Sequence, residues 1–133
     1  MGRILALDHG EARCGCAVSD PSGTLATPLQ VVERPDTKRG FERVARLAEE
    51  QQAERVLVGL PLTLAGDVGH QAEQAQGFAA RLGRRLSVPV ELHDERLTTR
   101  MAERRGGRAA SDSRAAAHLL ESYLALIAER TAR

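Results

Sequence analysis

Aromatic side chains make up only 2% of this chain (Phe41, Phe78 and Tyr123, with no tryptophan), so a platform for stacking bases is not expected. Cysteine is scarce too. Cys14 and Cys16 are the only two. On a strand they point to one side, and no Cys/His cluster completes a zinc set. Two small buried thiols in a reducing compartment are expected. His9, His70, His93 and His118 are scattered without metal-ligand spacing. No apolar run approaches the ~20 residues that span a bilayer. The first residues enter a strand-like segment, with no basic stretch leading into an apolar one, so no secretory signal and a cytoplasmic location are expected. Lysine is nearly missing: Lys38 stands alone among the cations, and the net charge is +1. Bulk charge therefore names no partner.

What is present is enough apolar residue for a full core, 42% of 133 residues, and this length fits one domain over 1–133. "RILALD" (3–8), "CGCAVSD" (14–20) and "TLATPLQVVE" (24–33) read as strands joined by short turns, an antiparallel meander. On the first, Ile4, Ala6 and Asp8 share one face and Leu5 and Leu7 the other. Phe41, Val44, Ala45 and Ala48 fall at helical spacing between Lys38 and Gln52. "RVLVGLPL" (55–62) reads as a strand buried on both faces. Ala72, Ala75, Ala79, Leu82 and Leu86 mark a second helix, and "SVPVELHD" (87–94) a fifth strand. Thr98 or Thr99 is placed to cap another helix. The last helix follows "SDS" (111–113), with Ala116, Leu119, Leu120, Tyr123, Leu124 and Ile127 on one stripe. Strands followed by βα crossovers give a mixed five-stranded sheet covered by helices.

Acids stand at element ends: Asp8 after the first strand, Asp94 and Glu95 after the fifth, Asp112 at the start of the last helix. Each has an ordinary explanation as a turn, a cap or a surface ion pair. Asp112, however, lies four residues before Ala116 and so shares the face that packs on the sheet. Converging carboxylates without histidine or cysteine suit a hard cation such as Mg²⁺ or Mn²⁺. Two such ions would activate water and stabilise the leaving oxygen in phosphodiester cleavage. Strict alternation puts Glu95 with His93 and Glu91, and Asp94 with Val90 and Leu92, which makes Asp94 the more inward acid. Arg96, Arg100, Arg104 and Arg108 recur every fourth residue, either a solvated face or a phosphate-contacting edge.

"LALDHGEARCGCAVSD", "VLVGLPLTLAGDVGHQA", "DERLTT" and "SDSRAAAHLLESYL" resemble, in order, the signature blocks of the YqgF (RuvX) family, over about residues 3 to 127. These are small ribonuclease-H-like proteins linked to Holliday-junction resolution and to trimming of the precursor of 16S ribosomal RNA. The resemblance implies an α/β fold with strand order 3-2-1-4-5 and helices on both faces. It also implies a metal-dependent nuclease using Mg²⁺ or Mn²⁺, with Asp8, Glu95 and Asp112 as catalytic and metal-holding acids. Glu95 is thereby chosen over Asp94. Arg13, from the first block, joins Arg96, Arg100, Arg104 and Arg108 as candidate nucleic-acid contacts. Gly10, Asp20, Gly59, Pro61, Asp94 and Thr98 are supporting positions, Asp20 as an outer acid or a turn residue.

The chain departs from the family where Thr63, Ala65 and Val68 replace an Asn, an Asp and a Glu, and where His9 replaces an aromatic. Structured RNA or branched DNA is the expected partner, with no membrane contact, for a monomer or a homodimer. Two other readings stand beside this one. The altered loop and the arginine stripe fit a non-catalytic nucleic-acid-binding module of ribosome assembly or transcription. A D-x-G turn between strands also cradles ATP phosphates in sugar kinases, but that machinery needs two such domains, more than 133 residues supply.

Overall fold

The computed structural model describes residues 2–95 and 113–131. Five strands form one sheet, β1 (Arg3–His9), β2 (Arg13–Ser19), β3 (Ala26–Glu33), β4 (Ala53–Leu60) and β5 (Val90–Asp94), in the order β3-β2-β1-β4-β5. β1, β2 and β3 pair antiparallel, while β4 pairs parallel with both β1 and β5. Among the described residues three helices accompany them: α1 (Lys38–Glu50), α2 (His70–Arg85) and α3 (Arg114–Thr131). This is the expected mixed sheet. The helix expected after Thr98 lies outside the described residues.

The alternation of β1 builds two cores. Leu5 and Leu7 join Cys14, Cys16, Val44, Val56, Val58 and Phe78 beneath α1 and α2. Ile4 and Ala6 join Ala17, Leu57, Leu119 and Leu120 beneath α3. Leu119 and Leu120 are fully buried, each contributing about 1.5–3 kcal/mol of apolar burial. Both thiols are free and buried on one side, as expected.

Local chemistry sets the element ends. Thr37 caps α1, its hydroxyl accepting from the Gly40 amide at 3.1 Å. β3 starts two residues later than expected, because the Asp20 carboxylate accepts the Thr24 and Leu25 amides at 2.8 and 2.9 Å. β4 stops before Pro61, which has no N–H to give a ladder.

The pairing of β2 with β3 breaks between Gly15 and Ala17, a bulge that leaves Cys16 without a register partner. The hydroxyl of Ser113 fills the gap. It accepts the Cys16 N–H at 3.0 Å and donates to the Gln30 carbonyl at 3.2 Å. The foot of α3 is thereby pinned to the sheet beside β1.

Candidate active site

Asp8 follows Ile4 and Ala6 onto the α3 side of the sheet, near the C-terminal end of β1. Its neighbour on β2 is Gly15. On the other side the Leu7–Val58 pairing places Gly59 beside it. The acid therefore stands between two residues with no side chain, in a notch facing α3.

Glu95 enters that notch from β5. Its N–H donates to the Leu60 carbonyl at 3.3 Å, and its carboxyl hydrogen-bonds to that of Asp8. To arrive there it crosses Gly59. A Cβ on Gly59 would overlap the Glu95 carboxylate and lie 3.2 Å from Leu119 Cδ2. Glycine is required here by close approach, not by its backbone angles.

Burial governs the electrostatics of the pair. It pushes the Asp8 carboxyl up to about 6, partly offset by the bond to Glu95. It pushes Glu95 up to about 8, helped by the charges of Asp8 and Asp94. Among the described residues no arginine, lysine or histidine is a cause of either shift. Two adjacent, partly desolvated carboxyls without a cation hold on to a proton between them.

The rest of β5 explains the direction of Glu95. Glu91, His93 and Glu95 all face α3. Glu91 pairs with Arg55 and accepts the Tyr123 hydroxyl at 2.9 Å. His93 lies 3.3 Å from Ser122 Oγ and edge-on to Tyr123, and burial holds its imidazole below the usual range. Leu92 is 40% exposed and Asp94 is exposed. Alternation therefore holds through Glu95, and the inference that Asp94 points inward is overturned. On this edge strand Val90 packs into the core beneath α2, while the polar side meets Ser122 and Tyr123 of α3.

The other expected positions divide. Gly10 closes the β1–β2 turn, its N–H donating to the Arg13 carbonyl at 2.9 Å. Arg13 is exposed at the same edge of the sheet. Pro61 is half-buried just beyond Gly59 and Leu60. Asp20 does not belong here: it lies past the far end of β2, where bonds from Ser22, Leu25 and Thr24 hold its carboxyl down at about 2. It is a turn residue, not an outer acid. Asp112, Thr98, Arg96, Arg100, Arg104 and Arg108 lie outside the described residues.

Two contributors were not read from sequence. Ser113 was legible only as part of a cap cluster. His9, next to Asp8 but on the opposite face, bonds Asp36 at 3.0 Å and lies 4.6 Å from the Phe78 ring, and Arg81 grips Asp36 from α2 at 2.8 Å. That bracket fixes the main chain on which Asp8 stands.

Strand order, mixed pairing and helices on both faces define a ribonuclease H-like fold. Thermus thermophilus RuvC in complex with a Holliday junction substrate superposes with a TM-score of 0.53 at 19% identity, over 77% of this chain and 69% of that one. A ROK hexokinase from Thermus thermophilus superposes with a TM-score of 0.50 at 22% identity, over 79% of this chain but only 38% of its own. The family model for RuvX, Holliday junction resolvase, matches residues 2–126. The chain belongs to the RuvX family. A relative from Chloroflexus aurantiacus named "Putative pre-16S rRNA nuclease" is 48% identical over 100 residues, 75% of this chain and 65% of its own length. One of the same name from Mycobacterium tuberculosis is 45% identical, covering 92% and 78%. The chain thus spans just under two thirds of the first of these relatives.

Proposed function

We propose that this protein is a divalent-cation-dependent nuclease that hydrolyses phosphodiester bonds in structured nucleic acid, at the 5′ end of the 16S rRNA precursor, in Holliday junctions, or in both. The observation that carries this reading is the hydrogen-bonded pair Asp8–Glu95, half-buried in a notch flanked by glycines. A binding module without chemistry has no use for two partly desolvated carboxyls set side by side, an arrangement that costs stability unless a cation meets them. Family membership supports the same conclusion.

The donor set fits a hard cation: all oxygen, anionic once the shared proton leaves, and free of thiolate or imidazole. Asp8 and Glu95 would hold it, with Asp112 as a third ligand. Asp112 is next in sequence to Ser113, whose bond to Cys16 fixes the start of α3 beside β1. When bound, Mg²⁺ or Mn²⁺ would supply Lewis-acid activation of water and charge stabilisation at the leaving oxygen. The chain's own residues do the rest. Gly59 leaves room for the Glu95 carboxylate to approach Asp8. Leu119 closes the notch against water on the α3 side. Arg13 stands at the rim to meet phosphate.

The test is a substrate panel of four-way junction, precursor rRNA end, single-stranded RNA and single-stranded DNA, in Mg²⁺ and in Mn²⁺. Cleavage is expected from the wild type and not from Asp8→Asn, Glu95→Gln or Asp112→Asn. Equal cleavage by wild type and Asp8→Asn in a clean preparation overturns the reading. Binding without cleavage of any substrate would instead make the protein the non-catalytic module.

A further inference from the structure

Away from the acid pair, a groove of about 870 Å³ runs between the free edge of β3 and α1. Five cations line it, Arg34, Lys38, Arg39, Arg43 and Arg46, against two carboxylates, Glu33 and Glu42. Glu42 is already held by Arg85, and Arg43 is tied to Glu50 at 3.0 Å. Among the described residues, Arg34, Lys38, Arg39 and Arg46 join no ion pair. This groove carries an excess of positive side chains in a chain whose net charge is only +1.

Two features show that these cations stand where local structure disfavours them. The first turn of α1 contains no acid and begins Lys38-Arg39, the reverse of what the helix dipole favours. Arg34 has φ 46, a left-handed backbone that ordinarily selects glycine or asparagine. That conformation is held by the Arg34 N–H on the Ala12 carbonyl at 2.9 Å and by Thr37, whose hydroxyl donates to the Arg34 carbonyl at 2.7 Å. A long cationic side chain is kept at a position whose backbone would rest easier without one.

The groove also opens at the right place. β1 and β3 both pair antiparallel with β2, so both end at the same edge of the sheet. Two strand spacings, about 10 Å, separate them there. From that edge α1 runs back along the sheet. Arg39 and Arg46, seven residues apart on one helical face, extend the positive charge by about 10 Å.

We infer that the groove between β3 and α1 is a second nucleic-acid contact, in which Arg34, Lys38, Arg39 and Arg46 hold the sugar-phosphate backbone beyond the acid pair. This rests on the nuclease reading, since the occupant is the polyanion whose cleaved bond sits at Asp8. Charge selects it over an extended protein strand added to the edge of β3, which would gain backbone bonds but nothing from four unpaired cations.

The experiment uses the full chain carrying Asp8→Asn, with a long labelled single-stranded RNA and a four-way DNA junction as probes, titrated over a range of KCl. Adding Arg34→Gly, Lys38→Gln, Arg39→Gln and Arg46→Gln is expected to weaken binding. The slope of log affinity against log salt should fall by roughly 0.7–0.9 for each phosphate that is no longer neutralised. With Asp8 intact, the same four changes should leave cleavage of an oligonucleotide just long enough to reach the acids at the wild-type rate. Arg34→Gly alone separates binding from folding. It relaxes the left-handed backbone, so the melting temperature should hold or rise while affinity falls. An unchanged salt slope, with cleavage intact, overturns the groove and leaves the nuclease reading standing. An unchanged slope with loss of binding to an extended peptide assigns the groove to a protein strand, and also overturns it. If the Asp8→Asn chain with its groove intact binds neither probe and wild type cleaves no substrate, both readings fall.

Discussion

Ser113 Oγ accepts the backbone N–H of Cys16 at 3.0 Å, joining residues 97 apart in the chain. The same hydroxyl donates to Gln30, so one small side chain satisfies both groups exposed by the bulge in β2 and β3. Ser113→Ala leaves the buried Cys16 N–H unpaired and removes the donor to the Gln30 carbonyl. A loss of about 1–3 kcal/mol in urea unfolding is expected. If Asp112 acts as proposed, cleavage should fall by more than the loss of folded protein explains.

Gly59→Ala tests the approach of the two acids. The new methyl occupies the path of the Glu95 carboxylate and meets Leu119. The carboxylate, as the end of a flexible side chain, is the part that yields. A fall in cleavage on the order of 10²-fold is expected from so small a displacement, with most of the stability retained. A matched fall in melting temperature and activity would show instead that the core, not the acid, had moved.

The raised carboxyls make the metal-free protein pH-sensitive in a defined direction. Asp8 titrates at about 6 and Glu95 at about 8, against ordinary values of 3.8 and 4.5. Between those limits the folded chain binds more protons than the unfolded chain, so stability falls as pH rises. The contribution is complete below the ordinary carboxyl range and is lost by the time pH passes about 8. Urea unfolding in EDTA should show this decline, and Glu95→Gln should flatten it. Excess Mg²⁺ or Mn²⁺ should reverse it, because a cation favours the deprotonated pair.

Asp94 and Glu95 should part company on substitution. Asp94 is exposed on the opposite side of β5, and its charge opposes ionisation of Glu95. Asp94→Asn should leave cleavage near wild type and shift its pH dependence slightly toward acid, as one charge opposing Glu95 ionisation is gone. Glu95→Gln should abolish cleavage. The reverse pattern would exchange their roles.

These two residues also show where sequence reading stops. The period of two on β1 was enough to put Asp8 on a face opposite Leu5 and Leu7, because both faces of a central strand are covered and each side chain must suit its layer. On β5 the same period located Glu95 with Glu91 and His93, but apolar character misidentified which side was inward. β5 is an edge strand. Its acid and histidine are met by Tyr123 and Ser122 of α3 and by Arg55 of β4, partners roughly 30 residues away that no local pattern announces. The bulge that gives Ser113 its role is likewise a matter of register between β2 and β3. "SDS" marked the start of a helix, not what the serine would bind. Gly59 was visible as a motif glycine, and only the crossing of Glu95 supplies its reason.

The loop after β4 bears differently on the molecule's history. Residues 63 to 67 are tied to one another, Thr63 N–H to the Asp67 carbonyl at 3.0 Å, Asp67 N–H to Thr63 Oγ1 at 3.0 Å and Gly66 N–H to the Thr63 carbonyl at 2.8 Å. Leu64 and Val68 stand 71% and 48% exposed. Asp8 and Glu95 are placed by the strands, by their bond to each other and by the Leu60 carbonyl. Sequence drift at Thr63, Ala65 and Val68 can therefore proceed while the acids stay where they are. The loop and the acid pair are held by separate sets of contacts, free to evolve at separate rates.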